Sequence, residues 1–267
     1  PFGSAHLVEA GGYQDLAGAQ VVVITAGSAQ RPGESRLDLL ERNAGIVEQV
    51  VGKVLQHAPE AILVVTTNPV DVITHLAART AEGHGVPASR VIGTGTTLDT
   101  ARFRALLGQH LDVDFRHIHG YVLGEHGDSE ILAWSLVAVS GIPLEEYCRR
   151  CEKRVDSEVK KRIEDEVRQA AYQIIGGKGA TYYGIGGALA RIVEVILEDQ
   201  RAILTVCTPV EEICGVADVT LALPNHLGDR GVIKTLDPPL SFGEEEALRE
   251  SARLIKKEIQ AYQQQRG

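Results

Sequence analysis

Short runs of apolar, β-branched residues alternate with longer segments of helical periodicity in the first part of the chain. The runs are Ala19–Thr25, Ala61–Thr66 and Arg90–Gly93. Between them, Leu37–His57 and Val70–Ala81 carry apolar residues at helical spacing. An uninterrupted apolar run is typical of a strand that is buried on both faces, as in a parallel sheet. The alternation therefore predicts an α/β fold, with an open parallel sheet and right-handed helical crossovers.

The order of predicted elements changes beyond Gly95, where helices and strands no longer alternate regularly. One strand region is predicted at His117–Leu123, followed by two antiparallel strands at Ala202–Cys207 and Asp218–Leu223. The predicted helices of this part are Asp99–Leu107, Lys153–Ile175, Gly184–Leu197 and Glu244–Gln264. This order predicts a second domain of the α+β class.

Charge and hydropathy exclude several classes of protein. The 267 residues carry a net charge of -9, which argues against a nucleic-acid partner. The apolar runs are far shorter than the roughly 20 residues of a membrane span, and no leader sequence is evident, so we expect neither membrane insertion nor export. Four cysteines, including the pair Cys148 and Cys151, lack zinc-site spacing. We interpret them as ordinary thiols of a cytoplasmic protein.

Polar residues follow the carboxyl ends of the three predicted parallel strands. In open parallel sheets ligands bind at this edge. The strand ends are Thr25–Gly27, Thr66–Pro69 and Gly93–Gly95. The polar and charged residues just beyond them are Gln30, Arg36, Asn68, Asp99 and Arg102. Their clustering predicts a site for a small, charged ligand.

Taken alone, each of these motifs has an ordinary structural interpretation. His126 follows an apolar strand between glycines and would titrate near neutral pH, but it is equally compatible with an inert loop histidine. Asp99 and Arg102 share a helix face and form either a surface ion pair or part of a carboxylate site. The Pro-Gly segment at 29–36 is either a loop that closes over a site or a plain surface loop.

Five segments together resemble, in order, the L-lactate/malate dehydrogenase family, with the bacterial L-lactate dehydrogenases most similar. They are VVVITAGSAQRPGESRLDLLERN, TTNPVDVITH, GTGTTLDTARFR, HGYVLGEHGDSE and GKGATYYGIGGALARI. The resemblance implies the remainder of a Rossmann-type NAD-binding domain at residues 1–96 and an α+β substrate domain at 97–267. It further implies a cytoplasmic, tetrameric enzyme that transfers a hydride reversibly between NADH and pyruvate, without a metal ion.

The resemblance also implies a role for each matching residue. His126 would exchange a proton with the substrate oxygen, and Asp99 would orient His126. Arg36 would polarise the substrate carbonyl, and Arg102 would bind the substrate carboxylate through two parallel hydrogen bonds. Further substrate contacts are implied for Gln30, Asn68 and Thr181, and cofactor contacts for Gly27, Ser28, Thr66, Asn68, Thr94 and Ile185.

One loop position is implied to separate lactate from malate enzymes. Malate enzymes typically have arginine two residues before the loop proline, where it pairs with a second carboxylate. Here that position is Gln30, whereas the arginine, Arg31, directly precedes Pro32. A neutral glutamine favours pyruvate. A malate or broader 2-hydroxy-acid dehydrogenase is the alternative.

Two cationic positions match a regulatory site of bacterial lactate dehydrogenases. Arg104 and His119 correspond to residues that bind fructose 1,6-bisphosphate across a subunit interface. Facing their symmetry mates, these cations would repel each other until a bisphosphate bridges them, so the ligand would favour the assembled, active state. The alternative is that both are ordinary interface residues of an unregulated enzyme.

The sequence departs from the family at the nucleotide-binding motif. The glycine-rich phosphate loop G-x-G-x-x-G and the acidic residue for the adenosine ribose do not occur in it. The resemblance implies about two βα units ahead of Pro1, and we expect the working enzyme to contain them. The alternative from another class of function is an inert fragment or a non-catalytic binding scaffold.

Overall fold

The computed structural model describes residues 7–28 and 36–266 of the chain. Seven α-helices lie in these ranges: α1 (Arg36–His57), α2 (Val70–Gly83), α3 (Thr97–Leu111), α4 (Leu144–Arg150), α5 (Ser157–Lys178), α6 (Tyr183–Leu197) and α7 (Phe242–Arg266). The longer strands are β1 (Val21–Ile24), β2 (Ile62–Val65), β3 (Val91–Gly93), β10 (Cys207–Ile213), β11 (Val216–Ala222), β12 (Asn225–Gly228) and β13 (Gly231–Thr235). Two-residue strands are β4 (Ile118–His119), β5 (Val122–Leu123), β6 (Ile131–Leu132), β7 (Ala138–Val139), β8 (Ile142–Pro143) and β9 (Ile203–Leu204).

The main sheet has the strand order β1-β2-β3-β10-β11. Its first three strands run parallel, which confirms the predicted α/β fold. β10 joins β3 in antiparallel orientation, and β10 pairs with β11 along most of its length. The sheet therefore includes strands from both parts of the chain. The division into residues 1–96 and 97–267 stays a prediction.

Two predicted single strands are each divided in the structure. His117–Leu123 forms β4 and β5, which belong to different sheets. Gly120 and Tyr121 separate the two strands, and a Cβ atom at Gly120 would come 3.0 Å from the ring of Phe103. The prediction of one strand at Ala202–Cys207 is also wrong. The Thr205 carbonyl there accepts the N–H of Thr96 at 3.0 Å, so the chain bonds to the start of α3 before β10 begins.

The boundaries of α5 differ from the predicted Lys153–Ile175 for local reasons. The helix begins after Asp156, whose carboxylate accepts the backbone N–H of Val159 at 3.0 Å. Such a cap satisfies an N–H group that has no partner within the helix. The helix ends where Gly179 takes a left-handed conformation with φ +81°. Periodicity alone gives neither signal, because both depend on single residues at the ends.

Buried threonine hydroxyls fix the first turns of α3 to the neighbouring strands. The hydroxyl of Thr96 donates to the carbonyl of Val122. The hydroxyl of Thr100 accepts the N–H of Val122 at 2.9 Å and lies 2.8 Å from the hydroxyl of Thr205. All of these oxygen atoms are buried, and hydrogen bonds in a dry interior are costly to break. They hold the helix that carries Asp99 in a defined position.

The apolar core has two main parts. One lies between the main sheet and helices α1, α2 and α7, and the other surrounds Phe103 beneath α3 and α5. Among the helices that the structure describes, none combines the length and the apolar composition that a bilayer crossing requires.

Candidate active site

The carboxyl ends of β1 and β2 lie together at one edge of the sheet, and the buried Asn43 of α1 connects them. The Asn43 side chain accepts the N–H of Ser28 at 2.8 Å and donates to the carbonyl of Asn68 at 2.9 Å. Thr67 adds a hydrogen bond to the carbonyl of Ala26 at 2.7 Å. Gly27, Ser28 and Thr66 thus lie at a closely connected edge, and Thr94 follows β3 on the same side. This is the edge at which open sheets bind ligands.

His126, Asp99 and Arg102 form one hydrogen-bonded group. His126 Nδ1 lies 2.6 Å from Asp99 Oδ2, and Arg102 Nη1 donates to Asp99 Oδ1 at 3.0 Å. Asp99 is only 2% exposed. Asp99 and Arg102 are therefore not a surface ion pair, because the carboxylate is buried and also bonds the histidine. The arrangement fixes one ring nitrogen of His126 and leaves Nε2 for a ligand.

The charges of this group shift its pKa values in opposite directions. Burial alone would lower the pKa of His126, but the hydrogen bond and charge of Asp99, with smaller effects of Asp71 and Glu130, raise it to about 9. Burial alone would raise the pKa of Asp99, but His126 and Arg102 lower it. Each partner thereby stabilises the charged form of the other. His126 is consequently an imidazolium ion at neutral pH and can donate a proton.

A second buried carboxyl group, that of Asp71, holds the backbone at His126. Asp71 lies in the first turn of α2, and its Oδ2 accepts the N–H of His126 at 2.8 Å. Burial raises the pKa of Asp71 to about 7, although its bond to His126 acts in the opposite direction. The thiol of Cys207 on β10 lies beside it. Asp71 thus ties the loop that carries His126 to the helix that follows β2.

The hydrogen-bonded group of His126, Asp99 and Arg102 faces a cleft of about 240 Å³ between α3, α5 and the end of β2. Asp99, Arg102 and His126 line one side. Leu39, Pro69 and Ile175 provide apolar surface. The remaining described lining includes Asn68, Gly127, Asp128, Glu130, Val167, Arg168, Ala171 and Tyr172. Cationic groups beside an apolar wall suit a small molecule with one carboxylate and a short apolar end.

The spacing of Asp99, His126 and Glu130 would also suit a metal ion, because their donor atoms lie within 4.8 Å of one another. However, Asp99 already uses one oxygen for His126 and the other for Arg102. The guanidinium group would also repel a cation. The group therefore supports anion binding rather than metal binding.

A larger groove of about 740 Å³ lies elsewhere, along β10 and the start of α7. Its charged lining residues are all carboxylates, Glu211, Glu212, Asp237 and Glu245. Such a lining repels an anionic ligand. Size alone is therefore a poor guide to the active site in this molecule.

Several predicted site residues do not line the cleft in the described structure. Gln30 lies outside the described residues, as does the side chain of Arg36, although α1 begins at Arg36. Thr181 and Ile185 are half-buried and precede or begin α6. A Cβ atom on the intervening Gly184 would lie 3.9 Å from Arg102 Nη2, so this segment passes close to Arg102.

The two predicted regulatory residues lie near each other. Arg104 Nε donates to the carbonyl of Gly120 at 2.9 Å, and Gly120 directly follows His119. The guanidinium group also stacks over the ring of Tyr121 at 5.4 Å. His119 is exposed on β4. The structure thus anchors the guanidinium group of Arg104 to the backbone one residue after the exposed His119.

Sequence reasoning missed Asn43, Asp71 and Glu130. Asn43 and Asp71 are polar residues on otherwise buried helix faces, and that is a recognisable signal for a structural or functional role. Glu130 closes the motif that contains His126, and the resemblance implies no role for it. Their partners lie 15 or more positions away for Asn43 and 55 for Asp71. Such contacts follow from the fold and not from a local pattern.

Family models match most of the chain. Residues 3–93 match the lactate/malate dehydrogenase NAD-binding domain, and residues 96–265 match the lactate/malate dehydrogenase alpha/beta C-terminal domain.

Individual proteins are similar along nearly the whole chain. An L-lactate dehydrogenase of Geotalea daltonii is 56% identical over 261 residues, covering 98% of this chain and 83% of that protein. One of Thermus aquaticus is 52% identical over 256 residues, covering 96% and 82%. The crystal structure of the minor L-lactate dehydrogenase of Enterococcus mundtii in its ligand-bound form superposes with a TM-score of 0.88 at 41% identity, covering 94% of this chain and 79% of that chain.

Proposed function

The chain belongs to the lactate/malate dehydrogenase family, and we propose that it catalyses reversible hydride transfer between NADH and pyruvate, which gives (S)-lactate. The observation that carries this proposal is the buried Asp99 carboxylate, which bonds both His126 and Arg102. One carboxylate thus orients a proton donor and a carboxylate-binding group at the same cleft. Reduction of a 2-oxo acid needs both groups, one for each end of the substrate.

His126 supplies the proton in this proposal. Its raised pKa keeps the ring protonated at neutral pH, so Nε2 can donate to the substrate oxygen. Asp99 stabilises the imidazolium form and fixes the orientation of the ring. In lactate oxidation the neutral ring accepts the proton of the hydroxyl group. The same pair therefore acts in both directions.

Arg102 and Arg36 are proposed to act on the two oxygen-bearing ends of the substrate. Arg102 uses one N–H for Asp99, which leaves further donors for a bidentate bond to the substrate carboxylate. Arg36 begins α1, and we propose that its guanidinium group polarises the substrate carbonyl. Asn68 lies at the cleft, and we propose that it and Thr181 contact the substrate.

The NAD cofactor fits the edge formed by the strand ends. This edge offers hydroxyl and backbone groups without a charged side chain at Gly27, Ser28, Thr66 or Thr94. NADH supplies the hydride for C2 of the substrate. We propose that Gly27, Ser28, Thr66, Asn68, Thr94 and Ile185 hold the cofactor.

Gln30 supports pyruvate over oxaloacetate as the substrate. A second substrate carboxylate at this position would need a cation, and glutamine provides none. The apolar wall of the cleft also suits a methyl group. Malate or broader 2-hydroxy-acid dehydrogenase activity is the second candidate.

We also propose that the enzyme is a homotetramer in the cytoplasm that fructose 1,6-bisphosphate activates. Arg104 and His119 are the proposed bisphosphate ligands; Arg104 bonds the carbonyl of Gly120, which follows His119, and His119 is exposed. All four cysteines are free thiols, which fits a reducing compartment.

Oxidation of NADH by the purified protein tests the proposed reaction, first with pyruvate and then with oxaloacetate. We expect turnover with a strong preference for pyruvate. A preference for oxaloacetate would favour the malate alternative. No turnover with either substrate, from folded protein, would favour the inert fragment or binding scaffold.

A further inference from the structure

Glu130 is a buried carboxyl group in the cleft for which the proposed reaction has no role. It is 4% exposed and lies just before β6. One of its oxygens lies within 4.8 Å of donor atoms of both His126 and Asp99. Its Oε1 has no hydrogen-bond partner in the part of the chain that the structure describes. A charged carboxylate in such a place is costly, so its protonation state is linked to what the cleft contains.

Charged groups face Glu130 from every neighbouring element. Asp99 and Arg102 approach from α3, His126 from the preceding loop, and Arg168 from α5. Arg168 Nη2 donates to the backbone carbonyl of Glu130 at 3.1 Å, and its charge pairs with Glu164 at 3.6 Å. The carboxyl group of Glu130 is therefore not neutralised by an ion pair of its own within the described structure.

Burial, followed by the negative charge of Asp99, raises the pKa of Glu130 to about 8, although His126, Arg168 and Arg102 act in the opposite direction. Glu130 thus carries a proton at neutral pH and loses it as the pH rises through about 8. His126 loses its own proton at a higher pH, near 9. Two ionisations therefore make the cleft more negative over a narrow range of pH.

We propose that the protonation state of Glu130 controls the affinity of the cleft for the anionic substrate. Only the neutral form of Glu130 avoids charge repulsion with a substrate carboxylate that binds beside Asp99. This inference rests on the proposed function, which places the carboxylate of a 2-oxo acid at Arg102. Bound substrate and ionised Glu130 would repel each other across a few ångströms of a poorly hydrated cleft. Linkage requires the converse as well, so substrate binding raises the affinity of Glu130 for its proton.

The test is the affinity for oxamate, an unreactive analogue of pyruvate, measured with NADH-saturated protein near pH 7 and near pH 9. Both the wild type and Glu130→Gln should bind oxamate more weakly at the higher pH, because His126 loses its proton. The wild type should lose several-fold more affinity than Glu130→Gln, with about tenfold as the upper limit, because about one pH unit separates the pKa of Glu130 from the higher pH. The difference stays below that limit because Glu130→Gln also removes a charge that raises the pKa of His126. Glu166→Gln, the same change at an exposed position on α5, should behave as the wild type.

Equal losses of affinity in the wild type and Glu130→Gln would overturn the inference. If Glu130→Gln does not fold, proton uptake on oxamate binding by the wild type decides the question, from calorimetry in buffers of different ionisation enthalpy. Near pH 9 we expect more than about one proton per oxamate, because two groups are linked to binding. Uptake of one proton or fewer would overturn the inference. Absence of pyruvate turnover would overturn the proposed function and this inference together, whereas the other negative results leave the proposed function intact.

Discussion

At the scale of single residues, the site depends on one carboxylate with two partners. Asp99 bonds His126 and Arg102, and neither local sequence reading of the Asp99–Arg102 pair includes the histidine, 27 positions away. The resemblance to a family predicts one group of these three residues, and the structure joins them by hydrogen bonds. Asn43, Asp71 and Glu130 were missed, because no short pattern links a buried polar residue to a distant partner. Sequence thus predicts which residues are unusual more readily than which atoms they bond.

Removing the charge of Asp99 should shift the pH dependence of pyruvate reduction. Reduction needs protonated His126, and the carboxylate of Asp99 is the main cause that raises the pKa of His126 to about 9. In Asp99→Asn we expect the alkaline limb of kcat/KM to move to lower pH by at least about one unit. At neutral pH the rate should fall about a hundredfold or more, since the imidazolium form loses its partner.

The pH profile of NADH oxidation with pyruvate measures this shift. Asp165→Asn is the matched control, because this carboxylate lies on the exposed side of α5 and pairs with Lys161. An alkaline limb that stays in place in Asp99→Asn would contradict the assigned role.

Arg102→Lys tests the requirement for two parallel hydrogen bonds. Lysine keeps the charge but cannot bond a carboxylate in bidentate fashion while it also pairs with Asp99. We expect the KM for pyruvate to rise about a hundredfold. Arg253→Lys, an exposed change on α7, should leave KM within about twofold of the wild type. A similarly small effect in Arg102→Lys would show that the substrate carboxylate binds elsewhere.

At the scale of elements, periodicity predicted the helices and parallel strands well, and the ends and connections poorly. Many residues of a long amphipathic helix such as α5 contribute to its periodic pattern, whereas the position at which it begins depends on Asp156 alone. The junction of β3 with β10 is harder still, because one pair, Cys207 and Gly93, joins them. Only the packing shows why a glycine is needed at that point.

Gly93→Ala should destabilise this junction. A Cβ atom at Gly93 would lie 2.3 Å from both Cys207 Sγ and Thr74 Oγ1, and all of these groups are buried. Overpacking of this kind lowers the free energy of unfolding by about 1–3 kcal/mol. Gly176→Ala near the end of α5 is the matched control, because within the described residues no side chain or other element comes within 4 Å of its added Cβ.

Gly176→Ala should leave the free energy of unfolding unchanged or raise it by up to about 1 kcal/mol, since alanine favours a helix. Unfolding in urea measures both changes. If Gly93→Ala is as stable as the wild type, the close packing of β3 against β10 does not contribute to the free energy of unfolding.

At the scale of the whole molecule, an acidic protein has a cleft that combines cationic groups with the carboxyl groups of Asp99, Asp128 and Glu130. The net charge is -9, yet Arg102, Arg168 and His126 all line the cleft. Overall charge argues against nucleic acid as a partner but does not predict the substrate. The composition likewise does not predict how subunits assemble, because assembly depends on which surface residues face a second copy.

Fructose 1,6-bisphosphate should promote tetramer formation and lower the KM for pyruvate. The proposed reason is that it bridges Arg104 and His119 of neighbouring subunits, which otherwise repel each other. Sedimentation velocity and initial rates, each with and without the bisphosphate, measure the two effects. Arg104→Gln should lose both responses, while Arg116→Gln, at an exposed arginine paired with Asp114, should keep them. Activation that persists in Arg104→Gln would place the ligand elsewhere.

The threonine contacts of α3 have a mechanical consequence. They hold α3 firmly against its neighbours. Asp99 and Arg102 lie on the cleft side of this helix, and Arg104 lies about 200° from Arg102 around the helix axis. The guanidinium group of Arg102 lies roughly 6 Å from that axis, so a rotation of about 10° would displace it by about 1 Å. A displacement of that size can change a rate about a hundredfold. The buried threonine hydrogen bonds oppose such a rotation, so they keep the guanidinium group of Arg102 in place without touching it.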